Sequence, residues 1–312
     1  MDQGGKMRTG VLLMSLGSPE KLEDMEAYLL DIRHGMPVSK LFVAEMQERY
    51  RQGGGKSPLL EITKNQAEAL EKSLNENGKE FKVYVGMRHW HPYITDVMMK
   101  IAQDKISTLI SFPMTPYYSK LSTEAYHSEV KEEISKIRAQ SNQSLETIFI
   151  KSWNKEPSLI ETFSELIKKG LNHFKDSTQV KLLFTAHSLP EKIVAEQDPY
   201  PHELLETARM TAEKLKIKNW DFAYQSQGAT KEPWLGPKVE DMLEKYQKEG
   251  IKEVLLAPIG FICDHMEILY DVDVLFKKSA REKGIHLERT DSPNDHPLFI
   301  AALKSVVLNH LQ

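Results

Sequence analysis

The chain has 312 residues, 40% hydrophobic and 28% charged, with 41 basic against 45 acidic side chains and a formal net charge of −4. That composition excludes gross disorder, and no general attraction to nucleic acid or anionic lipid is expected from it. No apolar run approaches the roughly 20 residues of a membrane-spanning helix. The single cysteine, Cys263, argues against an intramolecular disulfide and a cysteine-ligated iron–sulfur cluster. Segment 1–7 carries no signal-peptide core, so a cytoplasmic enzyme of one large or two ordinary domains is expected.

Short apolar runs alternate with longer amphipathic stretches, the pattern of βα units around a parallel sheet. In chain order this predicts strand 10–16, helix 20–31, and helix 60–77 opening at Ser57-Pro58 after the Gly53-Gly54-Gly55 turn. Strand 81–86, helix 92–103, strand 108–112, helix 121–139, strand 147–151 and helix 156–172 follow. The remainder reads as strand 180–186, helix 201–216, strand 221–225, helix 234–249, strand 253–258, helix 265–283, strand 286–289 and helix 295–310. Segment 12–21 resembles 182–192 with one residue inserted, and 106–113 resembles 251–258, each a buried strand ending in proline. The expectation is two similar α/β halves, 1–150 and 151–312, whose strand ends face a shared cleft and whose chain ends return across the boundary. The alternative is that all βα units look somewhat alike.

Two residues carry the most chemistry. His187 ends the run Leu182-Leu183-Phe184-Thr185-Ala186 and precedes Ser188-Leu189-Pro190. Glu267 lies just beyond a second strand, in Asp264-His265-Met266-Glu267-Ile268-Leu269. Ligands of open α/β sheets bind beyond the carboxyl ends of the strands. An imidazole and a carboxylate brought together there can hold a divalent metal or move a proton. The dull alternative for His187 is a structural histidine. Asp264, Glu267 and Asp271 stand at i, i+3 and i+7, one face of a helix that Asp264 would cap; a solvated acidic face is the alternative. Glu267 has apolar neighbours, so its pKa would be raised unless a metal or base partners it. His89 and His91 in Arg88-His89-Trp90-His91-Pro92 suggest metal ligands, but no third ligand accompanies them. Arg33, Arg49, Tyr50 and Ser57 supply cations and hydroxyls that suit carboxylates, or are simply surface. Neither GxGxxG, GxxxxGK[ST] nor GxSxG occurs, which disfavours a nucleotide enzyme or an elbow hydrolase.

Taken together, the motifs Thr185-Ala186-His187-Ser188-Leu189-Pro190, Asp198-Pro199-Tyr200-Pro201, Gln225-Ser226, Pro233-Trp234-Leu235-Gly236-Pro237 and Asp264-His265-Met266-Glu267-Ile268-Leu269-Tyr270 resemble the ferrochelatase family, in collinear order over essentially the whole chain. Leu16-Gly17-Ser18-Pro19, Arg49-Tyr50, Ser57-Pro58 and Gly86-Met87-Arg88-His89 add N-terminal support. The resemblance implies two Rossmann-like halves around a porphyrin cleft, and insertion of ferrous iron as substrate with no resident cofactor. It implies that His187 and Glu267 face the macrocycle centre and contact the metal, with Asp271 guiding it inward. It further implies that Leu16, Arg33, Arg49, Tyr50, Ser57 and Tyr126 line the porphyrin. Trp234, Phe261, Ile32 and Leu16 are candidates for an apolar clamp on the ring.

Three positions depart from the family pattern. Leu16 stands where coproporphyrin-using enzymes of Gram-positive bacteria typically carry a tyrosine able to ligate iron. Leu275 interrupts an acidic line that often continues beyond the position of Asp271. Lys56 adds a cation to the glycine-rich turn. The compact, cysteine-poor chain leans toward coproporphyrin III, with protoporphyrin IX open. A non-catalytic haem carrier and a chelatase acting on a hydroporphyrin such as sirohydrochlorin are the rival readings, and a monomer is the expected state.

Overall fold

The computed structural model describes residues 8–311 apart from 77, 79, 142–143 and 229–231. Segment 1–7, on which the signal-peptide reading falls, and residue 77 of a predicted helix lie outside the described residues. The strand β1 (Thr9–Ser15) is buried from Gly10 onward. Such a continuous apolar run, without alternation, is what a parallel strand covered on both faces requires. It pairs in parallel with β2 (Phe81–Met87) on one side and β3 (Thr108–Pro113) on the other. With β4 (Glu146–Phe149) at the edge, the first sheet has the order β2-β1-β3-β4. The second sheet repeats it as β6-β5-β7-β8, built from β5 (Lys181–His187), β6 (Trp220–Gln225), β7 (Glu253–Ala257) and β8 (His286–Arg289). All of its neighbours are parallel too. Topology therefore duplicates as the faint sequence repeat suggests.

Helices connect the strands in chain order. In the first half these are α1 (Met25–Ile32), α2 (Lys40–Gln52), α3 (Leu59–Asn75), α4 (Ile94–Gln103) and α5 (Thr123–Ser141). Then come α6 (Pro157–Leu171), the short α7 (Lys192–Ala195), α8 (Tyr200–Leu215) and α9 (Val239–Glu249). The last are α10 (Met266–Leu269), α11 (Lys277–Glu282) and α12 (Pro297–Asn309). Three expectations need correction. A helix stands at 40–52, where none was predicted; it opens on Ser39, whose hydroxyl accepts from Phe42 N at 3.2 Å. α9 begins at Val239 rather than 234, because Pro237 lies just ahead of it and 234–238 is not helical. The predicted helix 265–283 is not one α-helix: Asp271–Phe276 is a π-helix between α10 and α11, with Leu275 N bonded to Tyr270 O, five residues back.

The apolar helix α12 carries Phe299, Ile300, Ala302, Leu303, Val306 and Val307 into the core and packs on α3 of the first half and α6. One hydrophobic cluster runs through Val11, Ile110 and Phe112 of the first sheet to Phe184 and Leu255 of the second. In each sheet the strand order reverses between the first strand and its two neighbours, and the carboxyl ends of β1 and β5 are where such sheets bind ligands.

Candidate functional site

His187 is the last residue of β5, in register with Gln225 of β6. Its backbone is pinned: Ser188 N donates to Gln225 O at 2.8 Å, and the buried Tyr200 hydroxyl donates to His187 O at 2.9 Å. Its Nδ1 is hydrogen-bonded to the Ser188 carbonyl, which can only accept. Nδ1 therefore carries a proton, and in the neutral ring Nε2 is the free base. Nε2 lies 3.5 Å from Glu267 Oε1. The other carboxylate oxygen lies 3.6 Å from Nε2 of a second histidine, His265. The His187 and Glu267 side chains are about one-third exposed, 32% and 34%, so both remain reachable.

Burial opposes charge on both groups, and pairing overcomes it. The His187 charge and hydrogen bond, with His265 behind them, hold the Glu267 carboxyl well below the usual carboxylate range. Burial pulls the His187 pKa down, yet Glu267 outweighs it and raises the imidazole above its ordinary value. Glu267 is thus the partnered carboxylate that its apolar neighbours demand. Sequence reasoning gave His265 no role. Extended backbone at His265 (φ −160°) precedes the first turn of α10 and sets its ring against Phe261, 4.8 Å away. Phe261, a candidate for the apolar clamp, thus also packs against His265.

Asp264 is a further correction. It precedes the helix and makes no cap, so helical periodicity does not put it on the face of Glu267. Its carboxylate accepts from Ser292 Oγ at 2.8 Å and Asn294 Nδ2 at 3.0 Å, and pairs with Arg289 at 3.2 Å. Arg289 also holds Asp273 through Nε and Nη2, at 3.0 and 2.9 Å. One guanidinium thus clamps both flanks of the Glu267 segment to β8.

Asp271 opens the π-helix and accepts a hydrogen bond from the Ser226 hydroxyl. Burial pushes its carboxyl up to about 6; Ser226 and Arg49 oppose this and Glu267 reinforces it. Among the described residues no group of three or more His, Cys, Asp or Glu side chains stands ready to hold a metal ion. The expected set of His187, Glu267 and Asp271 is therefore not a preformed three-ligand centre, because Asp271 is turned to Ser226. A cavity of about 180 Å³ beside it is lined by Arg49, Ser188, Gln225, Ser226, Asp271 and Leu275. Pockets for drug-sized ligands start at roughly 300 Å³, so this one suits a small hydrated species rather than a macrocycle.

The other candidate residues scatter around the crevice. Leu16, just past β1, is 43% exposed. Arg33 ends α1, exposed and without an ion-pair partner among the described residues. Arg49 pairs with Glu45 at 2.7 Å and lies over the Tyr270 ring. Tyr50 is buried, 2.9 Å from the Ser18 hydroxyl, and burial pushes its phenol up to about 12. Ser57 is buried and accepts from Leu59 N at the start of α3. Tyr126, on the inner face of α5, is 7% exposed, with the Arg88 guanidinium over its ring. The Trp234 ring stands 6.5 Å from that of His187. The His89–His91 pair is no metal site among the described residues: His89 is buried on Asp31 at 2.7 Å, and His91 is exposed.

Two parallel four-stranded sheets of the same order, with an imidazole and a carboxylate at one switch point, define a chelatase-like α/β protein. The fold is similar to the sirohydrochlorin chelatase SirB from Bacillus subtilis subspecies spizizenii in complex with cobalt, with a TM-score of 0.59 over 97% of this chain and 95% of that one, at 10% identity. It is also similar to CbiX, the terminal enzyme for biosynthesis of sirohaem in denitrifying bacteria, at a TM-score of 0.51 over 98% and 100% and 9% identity.

The sequence comparison is more specific. The ferrochelatase family model matches residues 8–311. A ferrochelatase from Herpetosiphon aurantiacus is 41% identical over 96% of this chain and 98% of its own. A coproporphyrin III ferrochelatase from Anoxybacillus flavithermus is 39% identical over 97% and 96%. The chain belongs to the ferrochelatase family, lyases that insert iron into a porphyrin in haem biosynthesis.

Proposed function

We propose that this chain inserts Fe(II) into coproporphyrin III, using His187 as the proton acceptor and Glu267 as its partner at the metal. The observation that carries the chemical assignment is the 3.5 Å approach of His187 Nε2 to Glu267 Oε1 at an accessible strand end. Relatives named as coproporphyrin III ferrochelatases, from Anoxybacillus flavithermus and Oceanobacillus iheyensis, support the choice of porphyrin at 39% and 40% identity.

Insertion replaces two inner N–H protons of the macrocycle with one divalent metal that sheds its water. Binding energy on the ring faces and carboxylates holds the macrocycle saddled, part-way to the transition state, and exposes a pyrrole nitrogen. His187 Nε2 takes one proton and passes it to solvent, so that the same base can take the second in turn, and Glu267 stabilises the imidazolium formed each time while sharing the metal. Asp271 steers the hydrated cation by charge from the small cavity. Arg33, Arg49, Tyr50, Ser57 and Tyr126 engage the porphyrin, with Leu16 and Trp234 against its faces. The enzyme works as a cytoplasmic monomer without a resident cofactor or cluster. No helix among the described residues is long and apolar enough to cross a membrane.

Anaerobic insertion of Fe(II) into coproporphyrin III and, separately, protoporphyrin IX, followed by absorption spectra, tests the reading. Many turnovers with coproporphyrin III are expected, and none with His187→Ala, which should still bind porphyrin. Preference for protoporphyrin IX would overturn the choice of substrate. Tight binding without insertion would mark a haem carrier.

A further inference from the structure

We infer that Gln225 is a positioning residue that sets Glu267 against His187. This role rests on the functional reading above and deepens it. Gln225 ends β6 and is 3% exposed. Its side-chain amide bridges two elements: Nε2 donates to Glu267 O at 3.1 Å, and Oε1 accepts from the Thr185 hydroxyl at 2.7 Å. Thr185 is two residues before His187 on β5, and the Gln225 carbonyl accepts from Ser188 N at 2.8 Å, one residue after it. One residue therefore fastens both sides of His187 and the backbone of Glu267.

The next residue extends the grip. Ser226 sits in the left-handed region at φ 57°, which a serine rarely adopts, and its hydroxyl is bonded to Asp271. The end of β6 thus holds both acids, one at each end of the junction between α10 and the π-helix. The 3.5 Å approach of two one-third-exposed side chains does not hold itself, since a single contact of that length is a weak hydrogen bond.

The amide is needed because one end must donate and the other accept. Leucine at 225 loses both bonds. Methionine at 225 loses the same two bonds while keeping the length and volume of the side chain. Zinc insertion into coproporphyrin III, measured on the parent, Gln225→Leu and Gln225→Met, reads this directly. Loss of a group that orients a ligand to the metal typically reduces activity roughly 10–100-fold. Gln225→Leu should lose that much in kcat with porphyrin KM within about twofold of the parent. Gln225→Met should show the same loss in kcat, again with porphyrin KM within about twofold of the parent.

A folded Gln225→Leu with parental kcat would overturn the role. So would a folded Gln225→Met with parental kcat, and this arm decides the matter if the leucine variant fails to fold. The parent's own turnover carries the functional reading: an inactive parent overturns that reading and the positioning role with it, whereas an active parent with equally active variants overturns only the role.

Discussion

Gly260→Ala is the sharpest mechanical test of how the two loops are held. Gly260 N donates to Thr185 O at 3.0 Å, so the loop after β7 is pressed onto the end of β5. An alanine Cβ there would lie 2.4 Å from Ala186 Cβ and 2.5 Å from Ala186 Cα, with His187 N at 3.4 Å. Carbon atoms in contact sit about 3.5–4.0 Å apart, so roughly 1 Å of movement must be found. Ala186 is 0% exposed and has no flexible side chain to swing aside. The movement therefore goes into the end of β5, which carries His187, or into the loop that leads to Glu267. Overpacking of this kind costs about 1–3 kcal/mol. A 1 Å misplacement of a reacting group costs on the order of 100-fold in rate. Thermal unfolding by circular dichroism should show a fall of a few degrees, and fluorimetric zinc insertion a loss near 100-fold in kcat. A variant within twofold of the parental rate at unchanged Tm would refute the claim that the Gly260 contact sets the His187–Glu267 geometry.

Other expectations follow from the same site. Asp271 titrates near 6, above its ordinary value of 3.8, so its charged form is disfavoured in the fold and stability contributed by its protonated form is lost as pH rises through that value. Asp271→Asn should therefore raise Tm more at pH 8 than at pH 5, and abolish the rise in metal KM expected of the parent as pH falls below 6; an identical Tm shift at both pH values would count against it. Leu16→Tyr should add an axial ligand and shift the visible spectrum of the ferric product, whereas an unchanged spectrum would show that Leu16 does not face the metal. Arg289→Leu leaves Asp264 and Asp273 without the cation that clamps them, with Arg289 only 14% exposed. A loss of about 3 kcal/mol in denaturant unfolding is expected, and a loss below about 0.5 kcal/mol would refute the clamp.

The parallel strands were legible because burial on both faces writes them as unbroken apolar runs, as in Val11–Met14 and Leu182–Ala186, all at 0–1% exposure. His187 and Glu267 were legible because strand ends in such sheets are where ligands bind. α2 was not: its apolar line Phe42, Val43, Met46 and Tyr50 is buried only at Tyr50, and Leu41, 81% exposed beside it, blurs the stripe. The π-helix was hidden because its extra residue per turn leaves a segment that still looks periodic as α. Asp264 misled for a related reason, since spacing along a helix means nothing for a residue outside it. His265 was invisible as a partner because residues two apart on a helix do not face the same way. Only the extended backbone at the N-cap allows it to meet Glu267.

The duplicated topology makes the asymmetry of the site informative. β1 and β5 hold the same place in sheets of the same order, so their carboxyl ends are equivalent positions. Beyond β1 stands Leu16, exposed at 43% and unable to ligate or take a proton. At the end of β5 stands His187, with Glu267 delivered by the loop after β7. On the proposed reading the metal is gripped from one side, where proton acceptor and carboxylate act together, and meets only hydrocarbon on the other. An apolar face at Leu16 suits a carrier as well as a catalyst, so the argument for turnover rests on the other face: storage needs no proton acceptor beside a carboxylate, whereas removal of the inner N–H protons needs both.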